Sequence, residues 1–301
     1  MTGLRAALLV AWFDLRESLR SWKALALLVI YLMGAMAAAG IFVQILAEIE
    51  QTMADTLQVA QTSRPGAMTA SLMESEQVLD MLSGLIGDRG LAEQLVSTPP
   101  VALFYGWLSM AFVPILVTFT SAESISSELS SGACRYSLFR SDRLSWAAGK
   151  LAGQSLLMAV GILAGAAGVW LVGWYGMNSF EGALTAGWLL RFSARAWVYG
   201  FAFLGMTLGI SQLTRSINGA RAMALIALIV AAAGGGLLTV PEITEHAPLL
   251  ADTVRQLFPN AHKLDLWRPE ANIRMGAMVM LMALGTIAFA AGHQWMSRRD
   301  A

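Results

Sequence analysis

Six apolar runs, each near the roughly 20 residues that a helix needs to cross a bilayer, constrain this chain more than any other feature. They are Ala24 to Leu46, Pro99 to Ala122, Leu151 to Met177, Ala196 to Thr214, Ala222 to Val240 and Met275 to Ser297. A chain of 301 residues that is 56% hydrophobic and only 13% charged is too apolar for a soluble globule, where charged residues approach a quarter of the total. The expected fold is therefore an all-α membrane protein with six transmembrane helices. The N-terminus is charged through Lys23 and has no small-residue cleavage site after a short apolar core, so the first span is expected to stay as an anchor.

Six crossings put both termini on one side, and the distribution of Lys and Arg indicates which. Segments 1–23, 123–150 and 211–221, with Arg298, Arg299 and Asp300, hold twelve bases against six acids, a balance of +6. The remaining eight bases and fourteen acids give −6. Both termini are thus expected in the cytoplasm. Net charge is zero, which leaves no basic excess for nucleic acid.

Residues 1–23 place Leu4, Leu8, Trp12, Leu15, Leu19 and Trp22 at helical spacing, with Arg5, Arg16, Glu17, Arg20 and Lys23 on the other side. That pattern fits an interfacial helix lying on the membrane, or else a cytoplasmic extension of the first span. The rest of the chain, 24–301, reads as one transmembrane domain. Its outer segment 47–98 divides into two helix-like stretches, Ala47 to Thr62 and Ala67 to Ile86, split by Arg64-Pro65-Gly66. An outer helical hairpin is expected there, with eight acids facing an extracytoplasmic partner or solvent. A second outer segment, Pro241 to Arg274, should carry a short helix between Pro248 and Pro259.

Sites for chemistry are sparse. Gly149-Lys150 lacks the remainder of a phosphate-binding loop, and no zincin or nucleophile-elbow pattern is present. One cysteine, Cys134, and three histidines leave no evident metal set or disulfide. Four methionines of the sixth span, Met275, Met278, Met280 and Met282, fall on different faces and read as packing. No catalytic residue, metal or cofactor of the chain's own is expected. Arg191 and Arg195, four apart at the outer start of the fourth span, either snorkel to lipid phosphates or contact an anionic substrate; snorkelling is the expectation.

The polar stretch Glu123 to Lys150 reads as a docking loop. It resembles the cytoplasmic loop of the ABC-2 type permeases. Glu123 and Glu128 match that family's acidic positions, Gly132-Ala133-Cys134 its G-T-L, Arg140-Ser141-Asp142-Arg143 its turn without the proline, and Gly149-Lys150 the start of the third span. Asp14 to Ser21 is similar to the family's elbow helix. The long segment after the first span is similar to the permease branch of nitrous oxide reductase maturation.

The resemblance implies a permease subunit, working as an exporter in a bacterial inner membrane. Its partners would be two copies of an ABC ATPase that binds ATP and magnesium, and a second permease. Glu123, Glu128, Gly132, Arg135, Arg140, Arg143 and Lys150 would couple to that ATPase. Independently of the family, a helix from Glu123 to Ser131 capped by Gly132 is a rigid element that a separate motor could grip. A membrane-embedded enzyme, an ion-coupled secondary transporter and a scaffold are the rivals; the second predicts charged residues at mid-membrane, which the apolar runs do not show.

Overall fold

The computed structural model describes residues 3–57, 65–66, 76–86, 89–139, 141–177, 180–237 and 254–299. Among them the chain is helical, without strands. The helices are α1 (Gly3–Arg20), α2 (Trp22–Leu57), α3 (Glu76–Ile86), α4 (Arg89–Val96), α5 (Pro100–Ser121), α6 (Ser126–Ser131), α7 (Cys134–Leu138), α8 (Arg143–Gly176), α9 (Gly182–Leu213), α10 (Ile217–Leu237) and α11 (Ala271–Arg299). Six of them, α2, α5, α8, α9, α10 and α11, are long and apolar enough to cross a membrane.

Several helices outrun the apolar runs that announce them. Helix α2 has 36 residues and α9 has 32, or about 54 and 48 Å at 1.5 Å per residue, against a hydrocarbon core of about 30 Å. The first outer stretch is therefore no separate hairpin arm: residues 47–57 continue α2 without a break. The second stretch is described from Glu76, where α3 and α4 pack together ahead of Pro100. The expected helix between Pro248 and Pro259 lies largely outside the described residues.

Helix α9 is the centre of the bundle, packed against α11, α5, α8 and α10. Its inner contacts are of two kinds. Large side chains (Tyr199, Phe203, Leu204, Leu208) interlock with Met110 and Val113 of α5 and Met158 and Ile162 of α8. Toward α11 the backbones themselves touch: a Cβ on Gly205 would sit 2.0 Å from the Gly285 carbonyl oxygen, and one on Gly292 would sit 2.3 Å from that of Gly209. Small residues allow such approach where lipid provides no hydrophobic drive between helices.

Helix α8 seats α1 and then α2 along one glycine-bearing face. Gly149 and Gly153 meet α1, while Gly161, Gly165 and Gly168 meet Leu28, Tyr31 and Met36 of α2. Ser21 separates α1 from α2, so α1 is a helix of its own rather than an extension of the first span. Its apolar stripe points away from the protein: Leu4, Leu8 and Trp12 are exposed, while Ala6, Ala11 and Asp14 are buried against α8. Arg143 Nη1 donates to the Ser297 carbonyl at 3.3 Å, and Gly3 lies against Ser145. Both ends of the described chain thus sit at the same end of the bundle as α6 and α7, which we call the basic end.

Candidate functional site

The polar stretch that joins α5 to α8 folds into two short helices. After Ser121 the backbone makes turns, α6 runs from Ser126 to Ser131, and Gly132 ends it in the left-handed conformation (φ 74°, ψ 5°). A residue with a Cβ is strained there, which explains a glycine at this point. Helix α8 starts at Arg143, so Gly149-Lys150 falls about two turns into it and not at its start. Asp142 caps it, accepting from the Ser145 backbone N–H at 3.0 Å. The Ser145 hydroxyl and backbone N–H hold the Asp142 carboxyl below the usual range.

Lys150 is the centre of the site, and it is buried (5% exposed). Its Nζ donates to Asp14 Oδ1 of α1 at 2.6 Å and pairs with Glu128 of α6. One turn along, Gln154 Nε2 donates to Asp14 Oδ2 at 2.7 Å and to Ser18 Oγ at 3.2 Å. Its Oε1 accepts from Ser121 Oγ of α5 at 3.0 Å. Four helices therefore share one network, and each buried charge in it has a partner of opposite sign, as a low-dielectric setting requires. Gly149 and Gly153 fit the same picture: a Cβ on Gly153 would lie 2.7 Å from Asp14 Oδ2, so the bare glycine lets α1 bring its carboxylate to Lys150.

Glu123 makes a second junction, paired with both Lys23 at the start of α2 and Arg221 in the first turns of α10. The Ser126 backbone N–H donates to Ser211 Oγ of α9 at 3.0 Å, which anchors the start of α6 to the central helix. A polar cavity of about 180 Å³ opens beside these groups, lined by Glu17, Lys23, Glu123, Glu128 and Lys150 among others.

These contacts revise what was expected of the loop residues. Lys150 offers no surface to a partner, because protein covers it. Glu128 points inward to Lys150, Glu123 is held between two bases, and Arg143 reaches back to α11. Arg135 is exposed, and Arg140 lies outside the described residues. The outward surface of the loop also carries side chains that charge and motif did not single out: Tyr136 (79% exposed), Phe139 (86%) and Leu144. The partners Asp14, Gln154, Ser121 and Ser211 were missed as well. One signal for them was available, since Lys150 and Gln154 stand four apart on one face of an apolar helix, where polar groups need partners.

At the other end of the bundle, Arg191 and Arg195 lie inside α9, which begins nine residues before Arg191. The apolar run was cut short by its charges, yet a helix continues through arginines whose stems and planar heads can cover apolar neighbours. Arg191 lies over the Trp188 ring at 4.8 Å and Arg195 over the Phe192 ring at 5.2 Å. Arg195 is buried in the protein (6% exposed), so it does not reach outward as snorkelling would require. A cavity of about 470 Å³ lies farther out, between the α4–α5 junction and the α8–α9 loop. Among the described residues no group of three or more His, Cys, Asp or Glu is placed to hold a metal ion.

The family model described as ABC-2 family transporter protein matches residues 8–262, which include most of α1, the network and α9. No curated protein matches the chain.

Proposed function

The chain belongs to the ABC-2 transporter family, and from that premise we propose that it is the permease subunit through which a separate ATPase drives substrate across a bacterial inner membrane. The observation that carries this reading is the attachment of α6. That helix is tied to α1 and α8 through Glu128–Lys150–Asp14 and to α9 through Ser126–Ser211. A displacement applied to α6 is thereby passed to three helices at once, which is how a motor outside the membrane can act on a bundle inside it. In this reading the basic end is cytoplasmic, in accord with the positive-inside bias.

The ATPase, with its ATP and magnesium, is expected in two copies, paired with two permeases. It would dock on the exposed face of the α6–α8 loop around Arg135, Tyr136 and Phe139. Aromatic and arginine side chains on an exposed surface are the residue types that dominate protein interfaces. The inward-facing Glu128 and Lys150 would transmit the motion without touching the partner. Export is the direction suggested by analogy with the family.

The test is co-purification of the ATPase with the permease. Tyr136→Ala combined with Phe139→Ser should reduce association about tenfold, the equivalent of about 1.4 kcal/mol, while the thermal midpoint of the permease stays at its original value. Undiminished association in that double variant would remove the loop from its docking role.

A further inference from the structure

Arg195 poses a problem that the transport reading does not address. Its Nη1 is buried and has no hydrogen-bond partner among the described residues. Two more arginines bear on it unfavourably, Arg274 and Arg191. The register of α9 against α11 accounts for the first. The two helices run in the same direction and touch at Gly205 and Gly285, so Arg195, ten residues earlier in α9, comes level with Arg274, eleven earlier in α11. Sixteen residues of the same helix, about 24 Å, separate Arg195 from Ser211 at the basic end.

Three guanidiniums are therefore gathered in the part of the bundle remote from the basic end. Arg274 spends donors on the carbonyls of Arg268 and Pro269 at 3.3 and 3.4 Å. Glu270, one turn before Arg274, forms no ion pair with the three among the described residues, and its Oε2 is itself buried without a hydrogen-bond partner. The surroundings of Arg195 are aromatic. Phe192 stands between Trp188, at 5.9 Å, and Trp267, at 4.9 Å. Trp267 is fixed in turn, its Nε1 directed at Met110 Sδ and its carbonyl accepting from Gln94 of α4. A cation buried in such a place is costly unless an opposite charge compensates it.

We propose that Arg195, with Arg274 and Arg191, forms a binding site for a phosphate-type oxyanion, whose oxygen accepts from the unpartnered Arg195 Nη1. A guanidinium suits a tetrahedral oxyanion through its N–H donors, and Arg195 Nη1 has one to give. The group can belong to an anionic lipid headgroup or to a soluble phosphate ester. The proposal adds a ligand class to the permease reading, and rests on that reading only for the side from which the ligand enters.

The test uses the full chain in nanodiscs of phosphatidylcholine alone, the same with one-fifth phosphatidylglycerol, and the first with added inorganic phosphate. With the site filled, the thermal midpoint of the wild-type chain should rise by about 5 to 10 °C. A rise with phosphatidylglycerol alone identifies a lipid site, a rise with phosphate alone a soluble oxyanion, and a rise with both a site that accepts either. Arg195→Met should abolish the rise, and in phosphatidylcholine it should melt no lower than wild type, because the uncompensated charge is gone. Arg274→Gln is the second variant should Arg195→Met not fold, and it should weaken the rise at least twofold. A wild-type midpoint that neither anion moves overturns the proposal, as does an undiminished rise in either variant. ATPase co-purification measured on the same samples reports separately on the coupling reading.

Discussion

Lysine 150 offers the most direct test of the network that holds α6. Methionine keeps the length and apolar stem of the side chain and removes only the charge. In Lys150→Met, Asp14 stays buried (side chain 5% exposed) with Gln154 as its remaining donor, and Glu128 loses its base. Removing one partner of a buried ion pair costs about 3–5 kcal/mol. The lower end applies here, about 3 kcal/mol, because Glu128 borders the polar cavity and can take up water. Asp14→Leu strands Lys150 in the same way, but with Glu128 still beside it, so about 2 kcal/mol is expected. The double variant Lys150→Met/Asp14→Leu leaves Gln154 short of an acceptor and Glu128, which can take up water from the cavity, without its base, about 1–2 kcal/mol. The singles together exceed the double by about 3 kcal/mol, and that difference is the coupling. It is measured as a double-mutant cycle of unfolding in mixed detergent micelles, with the rate of tryptic cleavage within α1 as a local readout. A double variant whose loss equals the sum of the singles to within about 0.5 kcal/mol would show that Asp14 and Lys150 do not act as a pair.

The remaining predictions concern packing and orientation. Gly153→Leu forces Asp14 and Ala11 away from α8, so α1 should become protease-sensitive and stability should fall by about 1–3 kcal/mol. Gly205→Ala, which sets a Cβ against the Gly285 backbone, should lower the thermal midpoint well below that of Gly187→Ala, a position with open space around it; equal midpoints would contradict the close α9–α11 crossing. In a Cys134→Ser background, Arg255→Cys should react with an impermeant thiol reagent added outside intact cells and Tyr136→Cys should react only after lysis, and the reverse pattern would invert the topology.

The inward turn of Glu128 also changes how the docking loop can be probed. Charge reversal at Glu128 looks from the sequence like a surface change. In the structure it sets a second cation against buried Lys150, so a loss of ATPase association in that variant would report on misfolding. Arg135, Tyr136 and Phe139 are the cleaner probes, because they are exposed and make no part of the network.

The sequence by itself determined the six spans, the separate N-terminal helix as one of two readings, and a short helix closed by Gly132. Each of these is a local property: length of an apolar run, helical spacing of a stripe, or the backbone need of one glycine. Tertiary structure alone decided how far the helices run and what the charges are for. Hydropathy began the fourth span only after Arg195, whereas the helix starts at Gly182 and passes through both arginines, which lie over the Trp188 and Phe192 rings. It placed Lys150 at the edge of a loop, whereas Asp14, 136 residues away, and Glu128 make it a buried keystone. An average over a window treats a charge as uniformly unfavourable in the membrane. Whether it is tolerated, and what it then does, depends on the partner that the fold brings to it from elsewhere in the chain.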